Sequence, residues 1–201
     1  MDFRNSTALD SEQLLALFLR HTAPYRHDRL TVRVRYSRGA DFSGTCYYRD
    51  ARIYVNLGRH TRFPYRIATS LARAHSRRTY WWRPAYFVTL RDASELVLFV
   101  YLHELFHYLV KAAGRCPRRK EAMCDRFAAA ALVNHHGASV TDASGQPVAR
   151  EDWDFRDLRA FVAAAPRAPL MAGPARPRPI PVRVRGLPAA AARQPVRPLG
   201  I

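Results

Sequence analysis

One stretch of this chain constrains its fold more than any other. Residues 96–102 are apolar without a break, and they run directly into His103-Glu104-Leu105-Phe106-His107 within the string YLHELFHYLV. Asp92 or Ser94 can cap a helix here, and Gly114 with Pro117 behind it can close one, which predicts a helix reaching to about Ala113. A helix that is apolar on every side has no solvent face, so other elements must enclose it. An uninterrupted run of seven residues falls far short of the roughly 20 that span a membrane, and the enclosure is expected to be protein. The 201 residues, 48% of them hydrophobic, suit one domain built around that central helix.

The surrounding elements can be read in outline. Residues 10–19 place Leu14, Leu15, Leu17, Phe18 and Leu19 behind an Asp10-Ser11 start, the pattern of a short helix. Residues 30–36 (LTVRVRY) alternate as a strand, and CYY and RIYVNL within 44–57 flank Arg49-Asp50 as a hairpin would. Residues 67–75 are compatible with a helix, and 86–90 (YFVTL) with another strand. A second long helix is expected over 118–134, ending near Gly137, and a third over 152–164 with Trp153, Leu158 and Phe161 on one face. The expected class is α+β, with a small, mostly antiparallel sheet packed on the central helix. Residues 165–201 hold nine of the 14 prolines, seven arginines and no acid, so residues 1–164 are expected to fold and 165–201 to form a disordered tail.

Charge and cysteine content bear on partners and compartment. Basic residues outnumber acidic ones 33 to 16, a net charge of +17 that suits contact with nucleic acid through the basic surface and the tail. All but Lys111 and Lys120 of these are arginine in a chain rich in Ala and Pro, a bias that a GC-rich coding sequence would also produce. Cys46, Cys116 and Cys124 are too few and too irregularly spaced for a disulfide framework, and Cys46 and Cys116 read as structural. The polar, acidic N-terminus MDFRNSTALDSEQ does not resemble a secretory signal, so a cytoplasmic protein without a membrane partner is expected.

Chemistry is concentrated in the central helix. Residues four apart project from one face, so His103 and His107 can reach a single metal ion, with Glu104 beside them to act as general base. Composition alone would generate such a pattern about 0.008 times per chain of this make-up. Burying two imidazoles and a carboxylate among Leu, Val, Phe and Tyr is costly unless something satisfies them, and zinc would. The next helix offers a third ligand in Glu121, eighteen residues after His103, within RRKEAMCDRFAAAALV. Asp125, one turn further on, is placed to accept the free ring N–H of a ligand histidine. Cys124 is a rival ligand, and His135 and His136 are the downstream histidines.

HELFH followed by EAMCDRFA resembles the gluzincin-type zinc metallopeptidases, and the second string is most similar to the E-x-x-A-[DN]-x-F-A pattern of the ImmA/IrrE family. The resemblance covers roughly residues 92–133. It implies a zincin-like fold and a small zinc protease in which His103, His107 and Glu121 hold the metal and Glu104 is the catalytic base; known members cut helix-turn-helix repressors. SprT-like proteases, which act on DNA-bound proteins, are a weaker second likeness, and the basic charge suits them.

The expected activity is therefore hydrolysis of a peptide bond in a protein substrate by a zinc-activated water. An oxyanion donor is also expected, with Tyr54, His135 and His136 as candidates. A substrate would lie extended along a sheet edge, with 52–57 or 86–90 as that edge. Two other readings stay open: a nucleic-acid-associated zinc-binding protein in which the metal is structural, and a metal-dependent hydrolase of another bond. Glu104 between the histidines disfavours the first, since a structural site needs no base.

Overall fold

A β-α-β unit organises the N-terminal part of the chain. In the computed structural model, which describes residues 1–25, 29–117 and 120–154, β1 (Asp2–Asn5) leads through α1 (Ser11–Thr22) to β2 (Thr31–Tyr36). β3 (Phe42–Tyr47) and β4 (Arg52–Leu57) follow as the hairpin their alternation predicts. The sheet order is β1-β2-β4-β3. Two of its three pairings, β1 with β2 and β2 with β4, are parallel, where a mostly antiparallel sheet is expected from the sequence. Parallel neighbours need a long crossover, which α1 supplies between β1 and β2, and β3 with its flanking loops between β2 and β4. The four residues DFRN carry only Phe3 as an apolar signal, too little to mark β1 beforehand.

The next elements are β5 (Tyr65–Thr69), β6 (His75–Ser76), β7 (Trp81–Trp82) and β8 (Tyr86–Leu90). Then come α2 (Ala93–Ala112), α3 (Glu121–His136), β9 (Val140–Thr141) and α4 (Arg150–Trp153), giving a mixed α+β fold with four helices among the described residues. β5, β8 and β9 form a second, antiparallel sheet, and β6 and β7 a separate two-stranded ribbon. Residues 67–75 are thus the end of β5, an irregular segment over 70–74 and the start of the ribbon rather than helix: Ile67 is buried opposite Val88, and this long-range pairing overrides the local pattern. α3 is described from Glu121, since 118 and 119 lie outside the described residues. Of the expected helix over 152–164, the structure describes only its start in α4, where Trp153 is buried; Leu158, Phe161 and the tail over 165–201 lie outside the described residues.

α2 is enclosed as its composition requires. Every residue from Glu95 to His107 is buried. The enclosing elements are β3, β4, α1, α3 and β8. From α1, Phe18 stacks on Tyr101 with ring centroids 4.0 Å apart, and the Thr22 hydroxyl lies 2.7 Å from the Tyr101 hydroxyl. From α3, Phe127 meets Phe106 at 5.2 Å. Each Leu, Val or Phe fully enclosed here contributes about 1.5–3 kcal/mol. With 20 residues α2 is long and apolar enough to cross a membrane, although its uninterrupted apolar run is short; 83% burial inside the protein accounts for that apolarity.

Candidate metal centre

The chain reversal after α2 brings the first turn of α3 against the histidine face of α2. Gly114, at φ 73°, adopts the left-handed conformation that ends α2, and its N–H bonds back to Lys111 O at 2.9 Å. Glu121 is the first residue of α3, so it and Asp125 enter the site one turn apart. The structure brings His103, His107, Glu121 and Asp125 together.

The ring nitrogens are sorted by their partners. Pro117 O lies 3.2 Å from His107 Nδ1, and a carbonyl can only accept, so Nδ1 carries the proton and Nε2 presents a lone pair. Asp125 Oδ1 lies 2.8 Å from His103 Nδ1, and its other oxygen accepts the Ser70 N–H at 2.6 Å, which orients His103 in the same sense. Glu121 then faces both remaining nitrogens, its two oxygens 3.2 Å from His103 Nε2 and 3.3 Å from His107 Nε2. The approach to His103 Nε2 is a hydrogen bond, whereas the one to His107 Nε2 is not, and that buried atom has no partner. In the neutral tautomers both nitrogens and the carboxylate are acceptors, so either protons on the rings or a bound cation must lie between them. Ligand atoms about 2.0–2.1 Å from a tetrahedral zinc stand roughly 3.3 Å apart, close to these two nitrogen–oxygen distances.

Cys124 is a rival third donor. His103, His107 and Cys124 form a buried group that could hold a metal ion, their ligand atoms all within 4.8 Å of one another. Burial raises the Cys124 thiol well above its usual range, with the Glu121, Asp125 and Glu104 charges adding to the effect. Burial alone would lower His103, but its bonds to Asp125 and Glu121 outweigh that and bring it to about 10. Burial would likewise raise Glu121, yet the two histidines hold it well below the usual carboxylate range.

Glu104 projects toward β3. Both its oxygens are buried and neither makes a hydrogen bond. Burial raises its pKa, against the opposing pull of His103 and His107. It lies so close to β3 that a Cβ on Gly44 would stand 2.4 Å from Oε1 and 2.8 Å from the carboxyl carbon. Only glycine leaves room for this carboxylate. A glycine inside an alternating strand signals such a close approach, so Gly44 was open to discovery from sequence. Tyr48, just past β3 and half-buried, was missed as well. Burial, followed by the charges of Cys46, Glu104, Cys124 and Glu121, pushes its phenol well above its usual range.

Other sequence candidates lie elsewhere. Ile53, Val55 and Leu57 are the buried residues of β4, so Tyr54 belongs to the opposite face, where it meets Tyr47 at 5.5 Å and Arg35 at 4.4 Å. His135 and His136 end α3, on the order of 20 Å along the helix from Glu121, and His136 Nε2 lies 3.1 Å from His21 Nε2. Both strands expected as substrate edges are interior, β4 between β2 and β3 and β8 between β5 and β9. β3 is the edge strand beside Glu104; its short CYY signal did not separate edge from centre. Compared with family models, curated proteins and solved structures, the chain matches none of them.

Proposed function

We propose that this protein is a zinc-dependent metallopeptidase, zincin-like in the arrangement of α2, α3 and the β3 edge, acting on peptide bonds in a protein substrate. The observation that carries the reading is the convergence of His103 Nε2, His107 Nε2 and the Glu121 carboxylate beside the unpartnered, buried Glu104. His103, His107 and Glu121 would hold the metal, and Asp125 and the Pro117 carbonyl keep the two imidazoles in the ligating tautomer. Bound zinc supplies Lewis acidity and brings the pKa of a ligated water toward 7. Glu104, raised by burial, takes a proton and returns it to the leaving amine. Tyr48, just past the β3 strand that lies against Glu104, is the candidate donor to a developing oxyanion. An extended substrate segment pairs with the free edge of β3, which favours flexible loops or tails.

Cys124 supports a second reading, a His₂Cys site with a structural metal. Metal content separates them. The protein should bind about one zinc per chain and cleave an unfolded casein-like substrate, with cleavage abolished by a chelator and restored by zinc. Glu121→Ala should lose the metal and Cys124→Ser keep it. The opposite pattern, or zinc binding without cleavage, overturns the peptidase.

A further inference from the structure

We infer that the β6–β7 ribbon is a binding element for single-stranded nucleic acid. Among the described residues the exposed large hydrophobic side chains are Tyr80, Trp81 and Trp82, all on this ribbon, with exposures of 46%, 53% and 46%. Every residue from 73 to 82 is exposed. Such a concentration on one projection is a departure from scattered surface apolarity and marks a contact surface.

The chemistry of the surface selects the partner. No Asp or Glu occurs between residues 51 and 91, a segment with nine arginines, of which Arg73, Arg77, Arg78 and Arg83 belong to the ribbon or its root. Trp and Tyr faces stack on unpaired bases, and guanidinium groups take the phosphates between them. Bases inside a duplex are already stacked and do not offer these faces, so the ligand is single-stranded. The ribbon already carries one ring stack: His75 lies over Trp82 at 4.4 Å and 19°, in the register His75 opposite Trp82 and Ser76 opposite Trp81. Successive residues point to opposite faces of a strand, so Trp81 and Trp82 present aromatic surface on both sides.

A two-stranded ribbon is marginal alone, and here its root is fixed. The Arg77 N–H bonds Tyr80 O at 2.7 Å across the turn, while Arg83 Nη1 bonds Ser70 O at 3.1 Å. Arg126 Nη2 holds Leu71 O at 3.1 Å, and Ser70 N–H reaches the Asp125 carboxylate that orients His103. The root of the ribbon, at Ser70 and Leu71, therefore belongs to the segment that braces the candidate metal centre. The inference itself does not rest on the peptidase reading.

The test is a titration of a dye-labelled thymidine oligonucleotide of about 20 nucleotides, longer than the roughly 4–16 that one binding module covers, with the full chain, read by dye anisotropy in every variant and by Trp quenching in wild type. Trp153 is buried, so quenching reports on Trp81 and Trp82. Wild type should be quenched on binding, and Trp81→Ala/Trp82→Ala, with melting unchanged, should bind at least about tenfold more weakly. Arg77→Gln/Arg78→Gln should flatten the log–log salt slope by about 1.4. Equal affinity of the double Trp variant overturns the inference by assigning binding to charge elsewhere, such as the arginines of 165–201. Preference for duplex, or quenching by anionic phosphatidylserine vesicles without oligonucleotide binding, overturns it too.

Discussion

The α2–α3 junction and the β6–β7 ribbon break the usual partition of residue types in opposite directions. The junction buries His103, Glu104, His107 and Asp125 inside an apolar core; the ribbon sets Tyr80, Trp81 and Trp82 in water. The costs differ in kind. A buried polar group without a partner loses about 1–3 kcal/mol, whereas an exposed aromatic ring forgoes burial without straining anything. The junction needs its neighbours to hold each group in place, and they do so through Asp125, Pro117 and Gly44. The ribbon needs only a rigid root. If the junction acts on a reacting bond and the ribbon holds a nucleic-acid chain, as proposed, the two should respond to mutation accordingly.

The largest effect is expected at Glu104. It is no ligand in this arrangement, so Glu104→Gln should keep fold and zinc while lowering turnover by about 10²–10⁴, the range of a positioned acid–base group. The replacement is nearly isosteric, and packing loss cannot account for the drop. Equal turnover at equal zinc occupancy would point to another base. Next is Asp125→Asn, which removes the carboxylate that holds the His103 proton at Nδ1; zinc affinity measured by competition with a chelator should fall about 10–100-fold. An unchanged affinity would show that the Ser70 and Asp125 bracing does not reach the metal.

Gly44→Ala probes the strand side of the same site. A methyl group 2.4 Å from Glu104 Oε1 must displace the carboxylate or β3, so stability should fall by about 1–3 kcal/mol in denaturant and turnover should fall with it. Loss of stability with full turnover would mean that β3 moved and Glu104 stayed.

What could be read beforehand divides along the same line. The HELFH helix was legible because an all-round apolar run and an i, i+4 histidine pair are local patterns, and Glu121 and Asp125 because their spacing places both on one helical face. Gly44 inside β3 hints that something approaches closely, but that the approaching group is Glu104 depends on a helix far away in sequence, and no local pattern reports it. β1 was hidden for a related reason: a four-residue strand gains its meaning only from its parallel partner β2. The aromatic and basic character of residues 80–84 was visible, but not its exposure, since Trp beside Trp suits a core equally well. The sequence pattern at 67–75 misled because pairing with β8, not local periodicity, decides its state.

The smallest effect should come from the ribbon, and it tests whether the contrast with the junction is real. Trp153 is 2% exposed and Trp81 and Trp82 are 53% and 46% exposed, so three residues of one type sample both environments. Trp153→Ala leaves a cavity in the core and should cost about 3–5 kcal/mol. Trp81→Ala/Trp82→Ala removes more atoms but uncovers no core, and its root contacts through Arg83, Leu71 and Arg126 are untouched, so urea unfolding should shift by no more than about 0.5 kcal/mol. A loss near that of Trp153→Ala would mean that the ribbon packs against the domain in solution. Its aromatics would then be core residues, and the ribbon would cease to be the counterpart of the junction.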